Sequence, residues 1–471
     1  MAFWPWPEPR TSSARCPVGV YSRRDLTCRA LVHWRHPVHA MAFHPRLPLL
    51  AIGTGRYDGG HHFGGELLLL SLDTGVAVPL VEHLSGDDAS GRQVLGLEWL
   101  DDQALRVLMA PPDDWQDAAA CTEGHVAVVR RTDWSRVPPG SVTSDDLAGP
   151  RIPVARPDGR EAARALVTRL SAGWKPRRNV RAVEPLPDGR ILATLDGVLL
   201  EAWSPSGERE WSVADEEGGR EIVVTGETVW VSSMRPDGEI IRLSLADGAL
   251  LDRVTPSGPV SLVRCSDGRP ALAPRALDAF PIRSASRLYF LTFTPMKGDE
   301  LARGEASVDA VALSTLPADR PGEPDPAEIR TLFPHAWEAG ERHIAGPGAE
   351  TPDGTLVHAG RIYDGRGLQP GGSFVVRRSA ATGTPLWVFR TDRPATTLAL
   401  DEDAVYVAYD DGEIIVLDLH DGTARRRGHM KVGAVPVRPT ALTVAGPGRL
   451  LIGTSDGRVV DFADGLEVLT E

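Results

Sequence analysis

The chain has 471 residues, of which 42% are apolar and 24% charged, and its formal net charge is −13. This is the balance of a folded, globular protein. It excludes a disordered chain, and one that wraps nucleic acid or an anionic membrane over its whole surface. Forty-eight glycines and 39 prolines, spread along the chain, punctuate many short elements.

The first residues, MAFWPWPEPRTSSARC, lack the basic and apolar regions of a signal peptide. No run of about 18 apolar residues exists to cross a membrane. Cys16, Cys28, Cys121 and Cys265 are scattered, with neither zinc spacing nor a disulfide pattern. These features predict a cytoplasmic protein with a flexible arm over 1–25 and one folded domain over 26–471.

From residue 38 onward one pattern recurs. GELLLLSLDTG (65–75), GVLLEAWSPSG (197–207), GEIIRLSLADG (238–248) and GEIIVLDLHDG (412–422) each run from glycine through apolar residues to glycine ten positions later. GSFVVRRSAATG (372–383) is a looser copy and GRVVDFADG (457–465) a shortened one. Two further apolar runs precede most copies, bounded by DG, PDG and SDG turns. Runs of four to seven residues between such turns are antiparallel strands in tight hairpins. Four strands at this spacing make a propeller blade. The expected fold is all-β: a single β-propeller of seven or eight four-stranded blades. The candidate blades lie near 38–80, 93–137, 180–216, 219–256, 258–331, 340–392, 395–430 and 438–471. LTCRALVHW at 26–34 is a candidate for closing the ring on the last blade.

Two insertions interrupt the series. GREAARALVTRLSAGWKPRR (159–178) places Ala163, Leu166, Val167, Leu170 and Trp174 at helical spacing. It predicts one amphipathic basic helix within an insertion at about 140–179. Its arginines are the only candidate for nucleic-acid contact; a helix that packs its stripe and solvates its charges is favoured. A Pro-rich acidic insertion covers about 317–343.

The chain resembles the WD-repeat and quinoprotein-like β-propellers with degenerate repeats of the bacterial type. The WD-repeat likeness lies in strand order and DG turns, without a GH…WD signature. The quinoprotein-like likeness rests on SAATGTPLWVF (379–389) and SPSGEREW (204–211). That resemblance implies a tryptophan, four residues after the turn glycine, wedged between blades; Trp387 and Trp211 occupy the position. A quinone cofactor is not expected, since the dehydrogenases of that kind use adjacent cysteines, absent here.

The glycine-rich stretch GTGRYDGGHHFGG (53–65) leads into a strand, whereas a phosphate loop leads into a helix. It reads as a long hairpin tip, with a partner in YDGRGLQPGG (363–372). Long second-to-third-strand loops also occur at PPDDWQDAAACTEG (111–124) and TPMKGDELARGEAS (294–307). Such loops would emerge on one propeller face, where binding tends to reside. The predicted partner-binding residues are Arg56, Tyr57, His61, His62, Phe63, Trp115, Arg361, Tyr363 and Arg366.

Catalytic sets are weak. Six of 13 histidines fall early (His33, His36, His39, His44, His61, His62), without HExxH spacing. Ser455 in GTSDG sits in a strand–strand turn, not a nucleophile elbow. The Asp-rich turns Asp401–Asp403 and Asp215–Glu217 lack calcium-loop spacing. The expectation is a non-catalytic scaffold subunit of a multiprotein complex, with no cofactor and no metal. The alternative is a hydrolase or lyase over the central channel, using His39, His44, Asp58, His358 and Asp364.

Overall fold

The computed structural model describes the chain except for residues 1–15, 23–27, 35, 58–62, 82–91, 112–122, 144, 155–176, 236–237, 259, 266–267, 275–281, 284–286, 296–302, 314–315, 317–320, 339–340, 342, 363–370, 392, 433–434, 447, 464–466 and 469–471. The predicted basic helix therefore lies, apart from Arg177 and Arg178, outside the described residues. The described residues form sheets that are antiparallel apart from the pairing of Ile282–Arg283 with His343–Glu350; two of the sheets have four strands, and the only helix is short 3-10 turns. They divide into two compact units, Met1–Trp174 with Gly433–Val435, and Lys175–Val432 with Pro436–Glu471.

In the first unit, Val38–Phe43, Leu49–Thr54, Leu67–Ser71 and Ala77–Pro79 make one four-stranded sheet. Val94–Trp99, Ala104–Met109, Glu123–Arg130 and Arg151–Pro153 make a second. The leucine run of 67–70 is buried on both faces, which explains its lack of alternation. Leu49, Ala51, Leu67 and Leu69 pack on Val94, Leu105 and Val107 of the second sheet. Leu50, Ile52, Leu68 and Leu70 pack on Val18 and Val20. Those valines belong to Cys16–Tyr21, which lies in the segment expected to be an arm and pairs with Cys28–Trp34 as a hairpin.

In the second unit, a six-stranded sheet runs Val180–Pro185, Ile191–Trp203, Arg209–Thr225, Thr228–Ser233, Ile240–Ser244, Leu250–Val254. Two candidate blades thus share one long strand, Arg209–Thr225. The irregular repeat over 258–331 is divided. Val260–Arg264 pairs with Pro270–Pro274, whereas Arg287–Pro295, Arg303–Ala312 and Arg330–Pro334 join an eight-stranded sheet with His343–Glu350, Thr355–Ile362, Ser373–Ser379 and Pro385–Thr391. Ala395–Leu400, Ala404–Tyr409, Glu413–Asp418 and Ala424–His429 form the next sheet, extended by Glu467–Val468. Pro439–Gly446, Arg449–Thr454 and Val459–Ala463 form the last. Thr440 Oγ1 donates to Val180 O at 2.7 Å and Thr443 Oγ1 to Val183 O at 2.8 Å, so this last sheet lies against the strand Val180–Pro185 of the same unit.

The tryptophans implied by the quinoprotein-like resemblance pack between adjacent repeats. Trp387 is buried, its indole N–H donates to Leu419 O at 3.0 Å, and its ring lies where a Cβ on Gly422 would stand, 2.6 Å from Cδ2. Trp211 lies likewise against Gly248, 2.7 Å from Cε3, and Phe333 against Gly383, 2.6 Å from Cγ. Each aromatic comes from the outer strand of one repeat, and each glycine from the turn of the following repeat. The turns require positive φ, +77° at Gly422.

This arrangement separates backbone strain from crowding. Gly75 has φ +70° but open space about its Cβ position. Gly75→Ala is expected to lose about 1 kcal/mol through strain alone. Gly422→Ala must also displace Trp387, and is expected to lose about 3 kcal/mol. Urea unfolding of both variants measures the difference, and equal losses would show that the indole contact carries no weight.

Candidate functional site

The described ends of the stretch 53–65 leave the sheet as two short strands. Thr54 is fully buried; its N–H donates to Glu66 O at 2.9 Å, and its Oγ1 accepts from Glu66 N–H at 2.8 Å. A Cβ at Gly65 would meet Arg92 O and Thr54 O at 2.6 Å, so only glycine lets the chain turn out of the sheet there. Beyond it, Arg56–Tyr57 pairs antiparallel with Phe63–Gly64, Tyr57 opposite Phe63. The ribbon contains strand where a phosphate loop needs a helix.

Of the other predicted binding residues, Arg361 is half-buried near the end of Thr355–Ile362, opposite Ile344 and Ser373. His61, His62, Trp115, Tyr363 and Arg366 lie outside the described residues, as do Asp58 and Asp364 of the catalytic alternative.

The base of the hairpin Thr355–Ser379 holds a cluster that sequence reading missed. His343 and His358 come from neighbouring strands, and His335 follows Arg330–Pro334. The ring centroids of His335 and His358 are 5.3 Å apart, and those of His335 and His343 5.9 Å. Trp337 lies edge-on to His343 at 4.4 Å and to Phe374 at 4.7 Å. Arg378, 1% exposed, stands over Phe333 and donates to Pro334 O, His335 O and Gly383 O at 2.8–3.0 Å.

The electrostatics follow from burial. Arg378 has carbonyl partners and no carboxylate partner among the described residues, and burial pulls it down to about 10. Burial, then the Arg378 charge, hold His358 down to about 3. His335 lies well below its ordinary value through burial, with the charges of His358, Arg378 and His343 adding. His343 is lowered by burial against the opposing pull of Glu341, whose Oε2 lies 2.8 Å from Nε2. The three imidazoles are neutral at pH 7. All three rings are buried, so the cluster is a polar core at the base of the hairpin, not an exposed acid–base pair.

Of the remaining catalytic candidates, His44 has a structural role. His44 is buried. Its Nδ1 accepts from Arg46 and Leu47 N–H at 3.1 and 2.9 Å, which leaves Nε2–H for Asp102 O at 3.0 Å. It caps a turn with both nitrogens committed. His39 is exposed on Val38–Phe43. Ser455 lies in the turn between Arg449–Thr454 and Val459–Ala463, where its N–H donates to Arg438 O at 2.9 Å. Asp403 of the acidic turn receives Arg425 at 3.0 Å, and Asp215 receives Glu217 and Gly218 N–H at 3.0 Å. Among the described residues no group of three His, Cys, Asp or Glu side chains is placed to hold a metal ion.

Charge is also buried where the sequence shows only a DG turn. Asp411 and Glu413 flank Gly412; Arg393 pairs with both, and Arg427 reaches Glu413 at 2.6 Å. Burial alone would raise the Asp411 carboxyl, but hydrogen bonding with His429 and the Arg393 charge hold it well below the carboxylate range. Arg177, at the end of the predicted basic helix, is bound in bidentate fashion to buried Glu201 at 2.8 and 2.6 Å. That arginine is a structural partner and not a free cation for a nucleic acid.

These features define an all-β protein of blade-type sheets with elaborated hairpins. Residues 335–466 match the family described as outer membrane protein assembly factor BamB. The match covers SAATGTPLWVF, the motif of the quinoprotein-like resemblance. Among solved structures, BamB from Moraxella catarrhalis is similar at 17% identity and a TM-score of 0.36, over 61% of this chain and 86% of that one. The computationally designed Ika8 protein is similar at 14% identity and a TM-score of 0.28, over 91% of this chain and 96% of that one. No curated protein matches the chain.

Proposed function

We propose that the chain is a non-catalytic, protein-binding propeller scaffold that serves in assembling a multiprotein complex. The carrying observation is the match of 335–466 to a family named for an assembly factor. It is supported by the structural roles of His44 and His358, which a catalytic reading would need free. The ribbon Arg56–Tyr57/Phe63–Gly64 and the hairpin above the histidine cluster are the proposed contact elements, with Arg361 at the base of the second.

We further propose that the second unit is a closed ring of six blades, starting near residues 180, 219, 260, 343, 395 and 439. The contacts of Thr440 and Thr443 with Val180 and Val183 support closure of the sixth on the first. The seven- or eight-bladed expectation would instead bring the last blade to the 38–80 sheet.

The test is affinity capture from the native host, comparing wild type with variants trimmed at 57–64 and at 363–371. A stoichiometric protein that is lost on trimming supports the scaffold and locates its contact. Recovery of the same protein by both trimmed variants would remove the hairpins from the reading, and recovery of none by wild type would remove the scaffold. Cell fractionation separates a cytoplasmic scaffold from an outer-membrane one, the setting in the matched family's name.

A further inference from the structure

One face of the first sheet is covered only in part. Leu50 and Ile52 of Leu49–Thr54 are fully buried and pack with Val18 and Val20 of the N-terminal hairpin. Their register partners on Val38–Phe43 are far less covered. Phe43, opposite Leu50, is 49% exposed, and Met41, opposite Ile52, is 36% exposed. His39 on the same strand is exposed as well. Exposed apolar side chains scattered singly are ordinary. These two stand together, about 7 Å apart along the strand, and continue a buried apolar face. The hairpin stops one strand short of covering it.

The chain enters beside this gap. Cys16 stands opposite Trp34, and Trp34 packs in the same cluster as Val38, the first residue of the strand that carries Met41 and Phe43. Ahead of Cys16 the sequence reads MAFWPWPEPRTSSAR, with Phe3, Trp4 and Trp6 as its aromatic residues. Pro5 and Pro7 follow the two tryptophans, and a residue before proline favours extended backbone. Such a segment gives up less conformational freedom on docking than an ordinary one. In an extended chain Trp4 and Trp6 repeat at about 6–7 Å, the spacing of Met41 and Phe43. The stretch from Trp6 to Cys16 reaches about 30 Å, more than the ~17 Å length of the strand. We propose that residues 1–15 dock on the Val38–Phe43 face of their own chain, with Trp4 and Trp6 covering Met41 and Phe43. The face is thus a site for an extended aromatic segment punctuated by proline, and the chain supplies that segment itself. This concerns the first unit alone and stands apart from the scaffold reading.

Methionine-methyl NMR reads the contact directly, since an indole ring displaces the resonance of a methyl group it covers. Met41 is one of six methionines, and Met41→Leu assigns its signal. In the full chain the Met41 methyl is expected to lie upfield of an exposed methionine, and to return there in the Trp4→Ala/Trp6→Ala variant. The probe for the vacated face is a fluorescein-labelled peptide, AFWPWPEPRT, copied from residues 2–11. A chain lacking residues 1–12 is expected to bind it saturably. The full chain should bind it at least ~10-fold more weakly, because a tethered segment competes at a millimolar effective concentration. Phe43→Ser in the shortened chain is expected to weaken binding at least ~10-fold; the side chain is half exposed, so the sheet tolerates the change. An undisplaced Met41 methyl in the full chain overturns the proposal. So do equal binding of a scrambled peptide, equal binding by the full and shortened chains, and binding undiminished by Phe43→Ser. A displacement that survives Trp4→Ala/Trp6→Ala overturns it too. It assigns the face to a second copy if it grows with protein concentration, or to another part of this chain if it does not.

Discussion

Lowering the pH from 8 to 5 is expected to destabilise the second unit by about 2 kcal/mol through His358 alone. His358 titrates at about 3 in the fold and near the ordinary histidine value of about 6.5 when unfolded. Between those values the unfolded chain binds more protons, so stability is complete above about pH 6.5 and falls as pH drops toward 3. His335 and His343, also lowered, act in the same direction. The charged groups facing them are Arg378, Glu341 and Arg390; Glu341 favours a protonated His343, and the Ala359 carbonyl favours a protonated His358. Asp411 adds a separate loss at lower pH. Its carboxyl is depressed, so its contribution is present above about 3.9 and disappears below. Urea midpoints at half-unit intervals would reveal both windows. His358→Gln should flatten the upper one; a profile unchanged by that substitution would remove the cluster as its source.

Arg378→Leu is expected to cost about 3–5 kcal/mol at pH 8, where the histidines are neutral. The guanidinium bonds Pro334 O, His335 O and Gly383 O, and a leucine leaves three buried carbonyls without it. Burying the charge is itself unfavourable, and its removal returns part of that cost. Arg378→Lys keeps the charge but lacks the planar fork that reaches several carbonyls together, so it should be no rescue. Because the Arg378 charge also lowers His335 and His358, the leucine variant should show a shallower acid slope. A stability within about 1 kcal/mol of wild type would make the network dispensable.

Local pattern carried much of the fold. The glycine-bounded runs became strands because their turns need positive φ and their apolar residues suit sheets buried on both faces. Trp211 and Trp387 were legible from their distance to a turn glycine. Phe333 was not, since it plays the same part from TLFPH, outside any such spacing. The neighbours of each sheet were not legible either. Thr440 and Thr443 meet Val180 and Val183 across 260 residues, and no local feature marks those threonines. Single-sequence reading finds histidines by proximity in the chain. It singled out the early group, and took His358 alone from the cluster that strand pairing assembles with His335 and His343.

The aromatic-on-glycine contacts have a direction: the outer strand of one repeat always clasps the turn of the repeat that follows it in the chain. Chain connectivity and clasp order therefore coincide, and relocating the termini tests which breaks the structure tolerates. A circular permutant opened in the 430–438 connection keeps all three clasps joined to the covalent links that span them. One opened at 392–394 asks Trp387 to find Gly422 without the adjoining peptide. The first should fold like the parent. The second should depend on the Trp387–Gly422 contact far more than the parent does.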